Sequence, residues 1–288
     1  MVLRSVACCA PRMIREWVKQ KFGNEKLELA LDEMALRVPE PDPWGFSPKE
    51  SQAFATFAHA MYKYFRPEIT GIENVPAGRV LIVPNHSGQL PFDGLVVGTA
   101  CLLEADPPRV PRAMVERWVP TLPFVNVLFS RAGAVVGDPI NCRNLLDQEN
   151  AILVFPEGAK GSGKTWWHRY KLEKFGRGFM RLALQTNSPI VPVSVVGAEE
   201  SIVSLYDFKG LAELMGVPYV PVPLLLPLLG PLAMVPLPTK FYVDFGEPMH
   251  FEGPFDDEDE VIDQKVEKVR ERVQSLIDDR LAKRTSIF

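Results

Sequence analysis

Asn85-His86-Ser87-Gly88-Gln89-Leu90-Pro91-Phe92-Asp93 follows the apolar run Val80 to Val83, so a histidine and a carboxylate stand a short turn apart at a strand end. Neutral imidazole takes a proton from a hydroxyl near pH 7, and an aspartate can fix its tautomer and stabilise the imidazolium. Gly88 and Pro91 favour a turn that closes the two side chains on each other. The competing reading is a strand-to-helix loop in which Asp93 caps a helix beginning Gly94-Leu95-Val96-Val97 and His86 merely packs. The segment alone divides evenly between the two.

A second carboxylate ends the apolar run Ala151 to Phe155. Phe155-Pro156-Glu157-Gly158 is a proline-stiffened turn that presents one carboxylate beside glycine backbone, with Lys160, Lys164 and Arg169 after it. Such a turn suits a hydroxyl or polyol head group, with cations nearby for a phosphate. The overlapping stretch Gly158-Ala159-Lys160-Gly161-Ser162-Gly163-Lys164-Thr165 also satisfies the P-loop string. A P-loop runs straight into a helix whose first amides hold phosphate, whereas the bulky run Trp166-Trp167-His168-Arg169-Tyr170 follows here. Phe241-Tyr242-Val243-Asp244 is the one weak candidate for a magnesium-binding strand end, and Glu157 stands where phosphate would have to sit. Nucleotide binding is the minor alternative.

The elements that must position these residues alternate. Val80 to Pro84, Ala132 to Val136, Ala151 to Phe155 and Pro189 to Val196 read as strands. Gly94 to Leu103, Arg143 to Gln148 and Gly178 to Thr186 read as helices between them. Alternation at this spacing predicts an α/β fold with a mainly parallel central sheet flanked by helices. Ahead of it, residues 1–66 read as a helical segment, with Phe54, Phe57, Met61 and Phe65 at helical spacing. Residues 67–255 form the α/β domain. Residues 256–288 form an amphipathic helix docked on it, with Ile262, Val266, Val269, Val273 and Leu276 on one face.

Composition narrows the class. A chain of 288 residues that is 47% hydrophobic can bury a sizeable core, and a net charge of −4 gives no reason to expect nucleic acid. The four cysteines show neither metal-ligand spacing nor a disulfide framework, so no metal and a reducing compartment are expected. No apolar run has the length of a transmembrane helix. Ile14, Trp17, Val18 and Phe22 share one helical face opposite basic groups, which fits an interfacial helix or an ordinary packed surface helix. From Leu214 to Thr239 no residue is charged, and prolines at 218, 221, 223, 227, 231, 236 and 238 interrupt the apolar run. That segment is either buried against the sheet or an exposed apolar patch for lipid, and its length favours the patch.

The blocks Asn85-His86 to Asp93, Phe155-Pro156-Glu157-Gly158 and Pro189-Ile190-Val191-Pro192-Val193, in that order, resemble the phospholipid/glycerol acyltransferase superfamily over residues 67 to about 250. Phe175-Gly176-Arg177-Gly178-Phe179 is similar to a Lys-x-Gly element that the family often has before its last block. The resemblance implies that His86 is the general base and Asp93 its orienting partner. His86 would deprotonate an acceptor hydroxyl, which attacks the thioester of acyl-CoA or acyl carrier protein, with no cofactor. Glu157, Gly158, Lys160 and Arg131 would bind the acceptor. Trp166, Trp167, Leu225 and Leu228 would contact donor or membrane.

Two departures qualify it. Six residues rather than the family's four separate His86 from Asp93, a spacing closer to the mono- and diacylglycerol acyltransferase-like branch. Members that use lysophosphatidate typically carry an Arg just after the strand preceding the Phe-Pro-Glu-Gly block. Here Gly137-Asp138-Pro139 stands there, leaving Arg131 or Arg143 as substitutes, while Lys160 keeps a positive charge where the family commonly has Arg. The expected function is O-acyl transfer to a lysophospholipid at the cytoplasmic face of a membrane, by a peripheral or monotopic enzyme. A neutral glycerolipid or other alcohol is the alternative acceptor, and a non-catalytic lipid-binding module is the rival class.

Overall fold

The computed structural model describes residues 25–38, 41–117, 119, 129–208, 210, 212 and 219–288. Its strands are β1 (Glu68–Thr70), β2 (Val80–Pro84), β3 (Arg112–Val115), β4 (Val135–Val136), β5 (Ala151–Leu153), β6 (Ile190–Val196), β7 (Ser204–Asp207), β8 (Pro221–Pro223) and β9 (Tyr242–Phe245). The longer helices are α1 (Glu25–Ala35), α2 (Gln52–Phe65), α3 (Phe92–Glu104), α4 (Pro139–Asp147), α5 (Gly178–Thr186) and α6 (Asp259–Lys283).

A seven-stranded sheet runs in the order β1-β9-β6-β2-β5-β3-β4. Strands β2 to β6 are mutually parallel, while β9 is antiparallel to β6 and parallel to β1. All of β2 and all of β6 are buried. Both faces are covered, which is why these strands read as unbroken apolar runs rather than alternating ones. The period-2 pleat still sorts the side chains. Leu81, Val83 and Ile152 join a cluster with Leu145 and Leu146 of α4, Phe179 and Met180 of α5, and the buried face of α6. Val80, Ile82 and Leu153 join Phe65 of α2 and Val96, Val97 and Ala100 of α3 on the opposite face. Truncating one of these leucines to alanine costs about 2–5 kcal/mol in cores of this kind.

Helix α6 starts with Asp259 and Glu260 and ends with Arg280 and Lys283, charges that complement its dipole. It packs as a single helix against the sheet through Ile262, Val266, Val269, Val273 and Ile277. The last buried residue of its packed face is thus Ile277, where the sequence pattern pointed to Leu276.

Several boundaries differ from expectation. Helix α3 begins at Phe92, so Asp93 lies in its first turn instead of capping it. Helix α4 begins at Pro139, capped by Asp138, whose carboxylate accepts from the Ile140 amide. The strand expected over Ala132 to Val136 is confined to β4, and the short β3 carries no pattern long enough to be seen in the sequence. The amphipathic segment Ile14 to Phe22 lies outside the described residues. Among the described residues no helix is long and apolar enough to cross a membrane.

Candidate active site

The end of β2 is locked before the site begins. Asn85, fully buried, uses its side-chain oxygen to accept from the Val195 amide (2.7 Å) and its nitrogen to donate to the Val195 carbonyl (3.0 Å). A side chain thereby continues the β2–β6 pairing past the last strand residue. The chain then turns at Gly88, whose φ is +83° and whose missing Cβ would lie 3.0 Å from the Ala198 carbonyl oxygen. Glycine serves that conformation without strain.

The first turn of α3 brings Asp93 back beneath His86, with Nδ1 and Oδ2 2.7 Å apart. The six intervening residues therefore close the pair. Asp93 is fully buried and also accepts from the Ser87 amide (2.8 Å) and the Gly94 amide (2.7 Å). With an ionised carboxylate as partner, the hydrogen bond requires the proton on Nδ1, which leaves the lone pair on Nε2. Nε2 makes no hydrogen bond among the described residues, and the His86 side chain is 18% exposed. Its other flank lies on the Phe155 ring, with centroids 4.3 Å apart. A buried carboxylate, an oriented imidazole and an accessible ring nitrogen can remove a proton from a bound hydroxyl.

Glu157 comes to the same place with its carboxylate occupied. One oxygen accepts the His86 amide (2.8 Å). The other accepts the Glu173 amide (2.8 Å) and lies 2.6 Å from Lys164 Nζ. Its side chain is 0% exposed, so it faces the protein instead of a head group. Gly158 adopts φ 58°, ψ −155°, a glycine conformation that starts the one-turn helix Ala159–Ser162, on which Lys160 is exposed. The first amide of that turn, Ala159, donates to the Glu116 carboxylate (3.0 Å).

Lys164 is buried rather than offered to a nucleotide. Its side chain is 3% exposed, bonded to Glu157, 3.9 Å from Glu199 Oε1, and within 3.3 Å of the His86 carbonyl oxygen. Gly163 closes the one-turn helix, and a 3₁₀ turn over Trp166–His168 follows in place of a phosphate-binding helix. The geometry corrects the P-loop alternative. Asp244 at the end of β9 is likewise structural, accepting from Thr70 (2.5 Å), Ser194 (2.9 Å) and Arg280 (2.9 Å).

Arg131 is not at the site. It precedes β4, whereas His86 follows the parallel strand β2, so the two lie at opposite ends of the sheet. Its exposed guanidinium is 3.5 Å from Glu50. Arg143, the other expected substitute, lies 3.5 Å from Asp147, and Arg177 of the Lys-x-Gly-like element is held by Asp259 and Asp263 of α6.

The aromatic and leucine candidates divide. Trp166 is half-buried under the Arg169 guanidinium, 4.0 Å from its ring, while Trp167 is 68% exposed. Leu225 is half-buried and Leu228 is 80% exposed. Within the uncharged segment, Leu224, Leu229, Leu232 and Val235 are exposed as well, and residues 214–218 lie outside the described residues. Tyr206 and Phe208 extend the exposed apolar surface. This surface adjoins the site: Tyr219 donates to the Gln89 carbonyl (3.3 Å), and β7 touches the 3₁₀ turn carrying Trp167.

Asn85, Glu116, Lys164 and Glu199 were not singled out for these roles from sequence. Glu199 is the least visible, since it occurs in an ordinary Ala-Glu-Glu-Ser turn after β6. Burial pushes its carboxyl up to about 7, partly opposed by Lys164 and by the Tyr170 amide that donates to it (2.6 Å). Among the described residues no group of histidine, cysteine and acidic side chains could hold a metal ion.

Known proteins resemble the chain in sequence and in fold. The family model named Acyltransferase matches residues 66–196. An uncharacterized protein of Mycobacterium leprae is 42% identical over 254 residues, covering 86% of this chain and 69% of its own. An uncharacterized protein of Mycobacterium tuberculosis is 39% identical over 254 residues, covering 86% and 71%. The crystal structure of the 1-acyl-sn-glycerophosphate (LPA) acyltransferase PlsC from Thermotoga maritima superposes with a TM-score of 0.52 at 18% identity, covering 82% of this chain and 84% of that one. The likeness to PlsC is one of fold. With the ordered sequence blocks and the relatives, these matches place the chain in the phospholipid/glycerol acyltransferase superfamily, as an acyltransferase enzyme.

Proposed function

We propose that the chain moves a fatty acyl group from acyl-CoA or acyl carrier protein to the hydroxyl of a lysophospholipid at a membrane surface, with His86 as base and Asp93 as its orienting partner. The observation that carries this is the 2.7 Å contact between His86 Nδ1 and the buried Asp93, with Nε2 left without a hydrogen-bond partner among the described residues. Nε2 takes the acceptor hydroxyl proton as the oxygen attacks the thioester carbonyl. Collapse of the tetrahedral intermediate breaks the C–S bond, and the imidazolium returns its proton to the departing thiolate. Main-chain amides around the turn would carry the developing oxyanion. The exposed surface from Leu224 to Val235, with Trp167, Tyr206 and Phe208, would rest on lipid and admit the acceptor laterally. That would make the enzyme peripheral or monotopic on the cytoplasmic face.

A specific observation favours a second acceptor. The Ala159 amide, which would otherwise be available to an anion, is taken by Glu116, and Arg131 lies at the far end of the sheet. Lys160 alone of the proposed cations is exposed beside Gly158. A neutral glycerolipid meets less charge conflict there than a phosphate does. The deciding experiment measures thiol release from acyl-CoA with lysophospholipids, glycerol, monoacylglycerol and diacylglycerol, using the native chain and His86→Ala. Turnover that disappears in the variant supports the proposal, and equal rates in the two would remove it. Faster turnover with monoacylglycerol than with lysophosphatidate selects the neutral acceptor.

A further inference from the structure

We infer that Lys164 is a positioning residue for His86, acting through Glu157 to hold both main-chain groups of the proposed base. The amide of His86 donates to Glu157 Oε1, and its carbonyl accepts from Lys164 Nζ. Glu157 and Lys164 are in turn joined at 2.6 Å with both side chains buried. The ring of His86 is thus oriented by Asp93 and its backbone by this ion pair, so rotation and translation are restrained separately. Low exposure keeps the pair short and poorly screened by salt.

The glycines of the same loop fit this role. A Cβ at Gly161 would lie 2.7 Å from both the Glu157 and the His86 Cβ atoms, so the loop can approach the pair only without a side chain there. Gly163 is packed by the Tyr219 ring, at 3.3 Å from a Cβ placed on it. Gln89 Nε2 donates to the Lys164 carbonyl (2.8 Å), tying the two loops together a second time. The lysine and glycines that spell a P-loop string therefore serve the backbone of the histidine loop. Glu199, whose Oε1 lies 3.9 Å from Nζ and has no hydrogen-bond partner among the described residues, is a second carboxylate near the same lysine.

This rests on His86 being the base, and the test separates the two. Lys164→Met, Glu157→Gln/Lys164→Met and His86→Ala/Lys164→Met are compared with the native chain for kcat, KM for acyl-CoA, melting temperature and hydrogen exchange of the His86 amide. We expect Lys164→Met to lower kcat about 10- to 100-fold with KM changed less than about threefold, and to speed His86 amide exchange at least about tenfold. The double variant without either charge should recover melting temperature but not kcat. In the His86→Ala background, Lys164→Met should lower the residual rate no further. A folded Lys164→Met with native kcat overturns the inference, as does an equal loss with and without His86. If the native chain itself shows no transfer, the proposed function fails, and unchanged His86 amide exchange in Lys164→Met would still overturn the positioning role independently.

Discussion

Around Lys164 the chain buries charge, and from Leu224 to Val235 it exposes hydrocarbon, so the two regions reverse the ordinary partition of a folded protein. Isolated buried ions are costly, and their pairing only partly offsets the loss of hydration. Exposed leucines give up burial worth about 1.5–3 kcal/mol each. Stability alone explains neither region. The interior cluster converges on one backbone position, that of His86, where in the proposed mechanism small displacements matter to proton transfer. Under the same proposal the outer surface is where an apolar substrate would arrive without crossing water. Such a site would need a rigid polar floor and an apolar rim.

The sharpest way to break this comparison is at the shared residue. His86→Ala should lower kcat about 10²- to 10⁴-fold while shifting the melting temperature little, because the ring is partly exposed and its loss leaves the Glu157–Lys164 pair in place. A loss of activity that tracks unfolding in urea would deny the ring a chemical role. Next comes the floor. Lys164→Met leaves Glu157 buried without its cation and should cost about 3–5 kcal/mol in denaturant unfolding. A cost below about 1 kcal/mol would mean that the pair is not desolvated as described.

The floor also has a pH signature. The Glu199 carboxyl is raised from 4.5 to about 7 chiefly by burial, so between those values the folded chain retains a proton that the unfolded chain has lost. This contribution is fully present below pH 4.5, declines as pH rises through that window, and has vanished above about 7. Glu199→Gln should remove that decline and gain on the native chain with rising pH, by up to on the order of 2–3 kcal/mol. Urea midpoints measured from pH 5 to 8 would show the widening gap; a constant gap would contradict it. The smallest stability effect belongs to the rim. Leu228→Asp with Leu232→Asp should change unfolding free energy by less than about 0.5 kcal/mol, since both side chains are exposed. Liposome cosedimentation should nevertheless fall about tenfold or more. Retained binding would move the lipid contact elsewhere.

The legible part of the molecule was whatever depends on local order. β2, β6 and α5 were visible because burial on both faces produces apolar runs, and a helix repeats its contacts every three or four residues. The His86 loop was visible because its residue types are uncommon together at a strand end. What sequence did not reveal was the partnership of groups far apart along the chain. Glu157 looked like a ligand for a head group because, although Lys164 stands among the cations expected around it, nothing nearby in the chain announced that the His86 and Glu173 amides would also occupy it. Arg131 looked close to the site because strand direction, which puts it at the other end of the parallel strands, is a property of the assembled sheet. Lys164 also completes the P-loop string, the minor alternative, because a string records spacing and not the direction in which a side chain turns.

The five residues after α6 have a consequence for anyone who engineers this chain. Arg284 pairs with buried Glu200 and donates to the Tyr170 hydroxyl (3.3 Å), while Ile287 accepts the Lys240 amide (2.8 Å) and Ser286 accepts the Tyr242 hydroxyl (3.2 Å). They act as a latch from the helix end to the residue beside Glu199. Cutting after Lys283 would strip the countercharge from Glu200, and the damage would surface at the buried charges around Lys164 instead of at the cut.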